Sequence, residues 1–266
     1  MNTTLTTGSF RVDRDGDLAI VSLTQAARGN PFDGAFCSDF KQAAGHLFDM
    51  PGLRAVLLRA EGANFSFGGD IKTFHPVREQ LGPLVRLWTA DLHMGLQRFW
   101  RLPVPVVSAV QGFAMGGGVA LMAGADLVLA GASARFGSAF AQLGFSCDSG
   151  TSFVLTARMG MARARRFLLM TEILSSQEAV AAGLADRVVA DDQLQEEALA
   201  TARRLAAGPT VAYGELKRLF LKAGQASIEA QLEDEALTMA RVCMTADAHE
   251  GLCAMMEKRK PVFQGR

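Results

Sequence analysis

The chemistry this chain can do begins with bare backbone. In AVQGFAMGGGVALMAGADLVLA, Gly116, Gly117 and Gly118 follow a short β-branched run, Val104, Val106 and Val107, and precede a small-residue helical run, Val119 to Ala123. Three glycines remove every Cβ from the turn, so a ligand can approach the main chain. The helix start aims unpaired N–H groups at it. A second stretch, NFSFGGDIKTF, repeats the pattern: Phe65 and Phe67 alternate, and Gly68-Gly69 precede Asp70. Read together, the N–H groups of Gly69 and Gly117 could converge on one oxygen and stabilise charge developing there. Such donors are worth about 3–4 kcal/mol each in a transition state. A tight strand-to-helix turn with no ligand is the plainer alternative, and the triplet alone does not choose. It is not a dinucleotide fingerprint, because its spacing is wrong and no acidic residue ends the following strand.

One carboxylate stands near a helix start in apolar company. Asp148, in LGFSCDSGTSF, lies between small residues, with Phe113, Phe140 and Phe145 as candidate surroundings. It either N-caps the next helix through Ser149–Ser152 or moves a proton. The neighbouring Cys147 has no histidine placed to activate it and reads as a packed thiol. His75 and His93 read as solvent or packing residues, Ser66 and Ser138 as turn residues able to touch a ligand, and Asp126 as structural. Arg163, Arg165 and Arg166 read as a solvated helix face.

These groups must be positioned by 266 residues, enough for one large domain or one domain with an appendage. The chain is 49% apolar and 20% charged, and its 27 basic and 27 acidic side chains cancel. That balance gives no default attraction to nucleic acid or an acidic membrane, and it leaves self-association weakly opposed. The four cysteines, Cys37, Cys147, Cys243 and Cys253, have neither C-x-x-C spacing nor flanking histidines. Free thiols in a reducing, cytoplasmic setting and no metal site are expected. The N-terminus lacks a basic stretch before an apolar core, so no signal peptide is expected. The uncharged run Leu102 to Ala125 is broken by prolines and glycines and reads as buried core rather than a membrane span.

Along the chain, Phe10 to Leu23 predicts a hairpin turning at Asp15-Gly16. Phe36 to Leu47 has helical spacing, and Ala55 to Leu58 is a buried strand. Residues 72 to 86 read as a mobile loop entering a helix that runs through Leu96 to Trp100. Strand followed by glycine turn recurs at Val56–Gly69, Val106–Gly118 and Leu127–Gly144, which suggests a spiral of ββα-like turns with the glycines stacked on one side. Beyond Gly150 the chain is mostly helical. Ser175 to Glu178 forms a capping box, and Arg187 to Val189 is one more strand. An α/β core over residues 1–195 and a helical region over 196–266 are expected.

The sequence resembles the crotonase (enoyl-CoA hydratase/isomerase) superfamily over nearly its whole length. NFSFGGDIKTF and AVQGFAMGGGVALMAGADLVLA resemble the family's two oxyanion-hole segments, and EGLCAMMEKRKPVF resembles its tail. The resemblance implies a spiral α/β fold with a C-terminal helical trimerisation region, a homotrimer or dimer of trimers, and an acyl-CoA thioester substrate. CoA then enters as part of the substrate, and no other cofactor is implied. It makes Gly69 and Gly117 the oxyanion donors. It places Gly69, Asp70, Ile71 and Lys72 along the CoA, and Lys258 of a neighbouring subunit at its phosphates.

Two departures carry weight. Where hydratases of this family carry a glutamate after the glycine triplet, this chain has Ala120. Where they carry a second after Phe136-Gly137, it has Phe140. Neither can move a proton. Asp148 occupies a position like that of the catalytic aspartate of dienoyl-CoA isomerases, ring-epoxide isomerases and aryl-CoA dehalogenases. The expected activity is enoyl- or dienoyl-CoA double-bond isomerisation with Asp148 as proton shuttle, and with Phe140 and Ala120 reshaping the acyl pocket for a bulky or aromatic group. The alternatives are hydrolysis or dehalogenation at Asp148, hydration by a non-standard base, or a CoA-ester-binding subunit without catalysis.

Overall fold

The computed structural model describes residues 2–266. Strands β1 (Asn2–Thr6), β2 (Phe10–Asp15) and β3 (Leu18–Leu23) run antiparallel in succession. Asp15 pairs with Leu18, so the hairpin turns on Gly16-Asp17, one residue later than the sequence suggests. Gly16 sits there at φ +61°, the left-handed conformation such a turn needs. β4 (Pro31–Phe32) leads into α1 (Gly34–Phe48). The Asp33 carboxylate caps α1 by accepting from Phe36 N at 2.9 Å, and Phe36, Phe40, Ala43, Ala44 and Leu47 are buried, as their spacing implies.

Three β-β-α passes follow. The first is β5 (Ala55–Ala60), β6 (Gly68–Gly69), α2 (Ile71–Phe74) and α3 (Leu81–Trp100). The second is β7 (Val106–Val110), β8 (Phe113–Met115) and α4 (Gly117–Ala123). The third is β9 (Leu127–Gly131), β10 (Arg135–Gly137) and α5 (Thr151–Met159). Each pass sends its first strand into one large sheet, where β3, β5, β7 and β9 lie parallel and adjacent. Each second strand goes to a small sheet: β6 pairs with β4, and β8 with β10. That alternation winds the spiral. The run VVSAV of β7 is buried at every residue, as a parallel strand covered on both faces must be.

The segment 72–86 is where the sequence reading fails. It is α2, then a 3-10 stretch His75–Gln80, then the first turns of α3. Pro83, a loop signal in sequence, falls in the first turn of α3, where no helical hydrogen bond is lost. Leu92, Gly95, Leu96 and Phe99 then form the buried face of α3.

The remainder is α6 (Met161–Leu169), β11 (Ile173–Ser175), α7 (Ser176–Ala181), β12 (Arg187–Val189), α8 (Leu194–Ala206), α9 (Thr210–Ala223), α10 (Ile228–Val242) and α11 (Ala246–Met256). The capping box at Ser175 and Glu178 forms in both directions. β12 closes the large sheet beside β9. Leu194, Ala198 and Ala202 of α8 pack with Leu57 and Val107 of the sheet, so packing continues across residue 195. On α9 to α11 large apolar side chains face outward: Phe220 is 78% exposed, Met255 79% and Met256 83%. No helix among the described residues is long and apolar enough to cross a membrane.

Candidate active site

The two glycine turns meet because their strands are tied together. Ser66 N donates to Phe113 O at 3.0 Å, and Met115 N donates to Ser66 O at 2.9 Å. Gly68 has φ +76°, and a Cβ there would stand 2.6 Å from Met115 O and 3.2 Å from Gly117 N. Only glycine permits that approach. Asp70 N donates to Phe32 O at 3.1 Å. Alternation along a parallel ladder therefore turns the Gly69 N–H away from β4. Gly117 is the first residue of α4, where helical N–H groups have no partner within the helix.

Both glycines line a cavity of about 520 Å³, and so does Asp148. The Asp148 carboxylate does not cap α5: the N-cap is Gly150, with no side-chain cap. Asp148 supports the helix start with its main-chain oxygen, which accepts from Thr151 N at 2.9 Å and Thr151 Oγ1 at 2.6 Å. Its carboxylate receives one hydrogen bond within the chain, from Ser149 Oγ to Oδ1 at 2.9 Å. Two main-chain donors and a carboxylate on one cavity can hold an oxygen and move a proton beside it.

The walls are mostly aromatic, among them Phe74, Trp88, Phe140 and Phe145. Phe74 lies against Gly69, where a Cβ would meet its ring at 2.8 Å, and it stacks on Trp88 at 5.9 Å. Of the three phenylalanines expected around Asp148, Phe113 is not on the cavity; it is 40% exposed and stacks on Phe67. Ala120 is also absent from the wall. It points into the core with no exposure, because that face of α4 turns inward, and so it cannot shape the cavity directly.

Of the residues expected along CoA, Gly69 and Ile71 line the cavity. The Asp70 carboxylate is engaged otherwise: it caps α2 at Lys72 N and Thr73 N, accepts from Thr73 Oγ1, and pairs with Arg28. Partial burial works to raise its pKa, but the hydrogen bonds from Thr73 and Arg28 outweigh that and hold it below the usual carboxylate range. Lys72 is exposed and off the cavity. Lys258 follows α11, exposed, with φ +54° and no place on this chain's cavity.

Sequence reasoning missed Cys37 and Asp33, which line the cavity from the start of α1. Burial first, and then the charges of Asp148 and Asp33, push the Cys37 thiol up to about 12, so it stays protonated at neutral pH. Its place beside Phe36 and Phe40 on an apolar helix face concealed it. Asp33 caps α1 and pairs with Arg28 at 2.8 Å. Its Asp-x-x-Phe spacing was the available signal. Ser138 lines the cavity, whereas Ser66 Oγ is tied to Asn30 O at 2.7 Å. Neither His75 nor His93 reaches the cavity. Asp126 accepts from Val106 N and pairs with Lys217, a structural use. All four cysteines are free thiols.

The family model for enoyl-CoA hydratase/isomerase matches residues 13–266. A probable enoyl-CoA hydratase of Rhodobacter capsulatus is 35% identical over 259 residues, covering 97% of this chain and 98% of the relative. The 1,2-epoxyphenylacetyl-CoA isomerase of Escherichia coli K12 is 31% identical, covering 92% and 94%. The solved structure of an enoyl-CoA hydratase from Polaromonas sp. JS666 superposes with TM-score 0.90 at 26% identity, covering 97% and 100%. The chain belongs to the enoyl-CoA hydratase/isomerase family and has the crotonase fold. It is therefore an acyl-CoA enzyme of that family.

Proposed function

We propose that this enzyme moves a double bond within an enoyl- or dienoyl-CoA thioester. Gly69 and Gly117 donate their N–H groups to the thioester oxygen. Asp148 takes a proton from the α or γ carbon, the electron pair moves through the conjugated system to the oxygen, and an enolate forms. Protonated Asp148, whose carboxyl proton exchanges with water, then delivers a proton at the other end as the enolate collapses. One C–H bond breaks, another forms, and no water is consumed. The observation that carries this reading is the Asp148 carboxylate, freed from helix capping, on the same cavity as both glycines. Ala120 and Phe140, which stand where the sequence comparison expects the hydratase carboxylates, cannot activate water.

The test is chromatographic interconversion of 3-enoyl- and 2-enoyl-CoA by wild type and Asp148→Asn. Loss of a general acid–base group should lower turnover by about 10²–10⁴. Interconversion at the wild-type rate by Asp148→Asn contradicts the reading.

The same reading includes assembly as a homotrimer or a dimer of trimers, with Lys258 reaching a neighbour's CoA phosphates. The outward apolar side chains of α9 to α11 support it, since a monomer rarely leaves so much apolar surface in water. Light scattering should give a multiple of three times the 28.4 kDa chain mass. A monomer mass at micromolar concentration counts against it.

A further inference from the structure

Asp148 stands two residues before Gly150, the N-cap of α5, close enough to the helix start for its main-chain oxygen to accept from Thr151 N. Here the backbone takes the carboxylate elsewhere. Ser149 has φ +54° and Gly150 has φ +68°, two left-handed residues in succession. Glycine adopts that conformation freely. Serine is strained in it, and such strain persists only where the surroundings impose it. Trp100 packs against this turn: a Cβ on Gly150 would lie 2.3 Å from its ring, and the ring stacks on Phe153 at 6.3 Å.

The Ser149 side chain occupies the space this turn creates. The residue is 1% exposed. Its Oγ donates to Asp148 Oδ1 at 2.9 Å, and it stands 3.3 Å from where a Gly117 Cβ would be. One hydroxyl therefore bonds the carboxylate and sits in the space that the missing Gly117 Cβ leaves beside it. We propose that Ser149 is a positioning residue: its hydroxyl holds Asp148 Oδ1, leaving Oδ2 to exchange the proton, and its left-handed backbone delivers the carboxylate to the cavity instead of to α5. This rests on Asp148 being the base.

A hydroxyl donating to a carboxylate favours the charged form. Removing it should let activity fade at a higher pH on the acid side. Three other titratable groups lie near the carboxylate. Cys37, across the cavity on α1, stays protonated until about pH 12 because of its burial first and the nearby carboxylates second. Asp33, before α1, is already paired with Arg28. Cys147 adjoins Asp148 in sequence on the same arm.

The experiment compares wild type, Ser149→Ala, Ser149→Gly and Asp148→Asn by pH–rate profile. The alanine variant removes the hydroxyl and keeps the strain, and the glycine variant removes both, so it remains testable if the alanine variant folds poorly. Both should lose kcat by about tenfold to a hundredfold, the scale of a misplaced catalytic group, with KM nearly unchanged. In both, the acid limb of kcat/KM should move toward higher pH. Wild-type kcat and an unmoved limb in Ser149→Gly, with Asp148→Asn inactive, overturn the role of Ser149 and leave the base intact. An active Asp148→Asn overturns the base and the inference with it.

Discussion

The glycine turns and the arm from Ser138 to Gly150 line one cavity and are built in opposite ways. The turns are tied across strands: Ser66, Phe113, Met115 and Gly137 fix them through ladder bonds, Ser66 Oγ accepts from Gly68 N, and no side chain is needed at Gly69 or Gly117. The arm is held by short-range bonds within itself, such as Phe145 N to Phe140 O and Ser149 Oγ to Asp148 Oδ1, and by unusual backbone. Ala139 and Ser149 are left-handed without being glycine, and residues 141–146 are exposed. Under the proposed function, the backbone donors would hold any thioester oxygen presented to them, and the side chain on the arm would decide what happens to the carbons.

That difference can be broken from either side. After Asp148→Asn, Gly117→Ala should have the largest effect. Its Cβ would land 2.7 Å from the Phe32 ring and 3.3 Å from Ser149 Oγ, forcing the donor out of place. A loss of about 10²–10³ in kcat is expected, as for removal of one oxyanion donor. Steady-state kinetics measures it, with circular dichroism to confirm folding. The Ser149 variants should cost less, because they loosen the arm without touching the donors. A greater loss in Ser149→Gly than in Gly117→Ala would reverse the proposed division of labour.

The smallest effect is expected at Asp70, which ties the first glycine turn to Arg28. Its pKa in the folded chain lies below its ordinary 3.8, so its charge stabilises the fold above about pH 4. That contribution is lost as pH falls through the lowered folded value. Asp70→Asn keeps the helix cap and removes the charge. Urea denaturation at pH 7 should show a loss of up to about 1 kcal/mol, limited because Arg28 is nearly half exposed. The difference from wild type should shrink below about pH 3. An equal difference at both pH values would show that the charge is not what holds the turn.

The same contrast explains what could be read from sequence. Gly68-Gly69 and Gly116–Gly118 were visible because a turn with no Cβ has a compositional signature. The three strand-and-glycine recurrences gave the spiral for the same reason. Asp148 was visible as a residue, and the family resemblance gave it a proton-moving role, while its own surroundings in sequence left cap and free carboxylate open. The left-handed pair Ser149-Gly150 ahead of α5 accompanies a carboxylate that does not cap the helix. Cys37 and Asp33 were hidden because one reads as core and the other as a cap. The helix start at Leu81 was missed because Pro83 serves a first helical turn as readily as a loop.

Isomerisation requires the arm to move a proton and add no water. The decisive experiment incubates 2-enoyl- and 3-enoyl-CoA with the enzyme in deuterated, oxygen-18-labelled water and analyses the products by mass spectrometry. Isomerisation through Asp148 should give deuterium at the α or γ carbon, no oxygen-18 in the acyl chain, and loss of the deuterium label in Asp148→Asn. Efficient oxygen-18 incorporation that survives Asp148→Asn would contradict it.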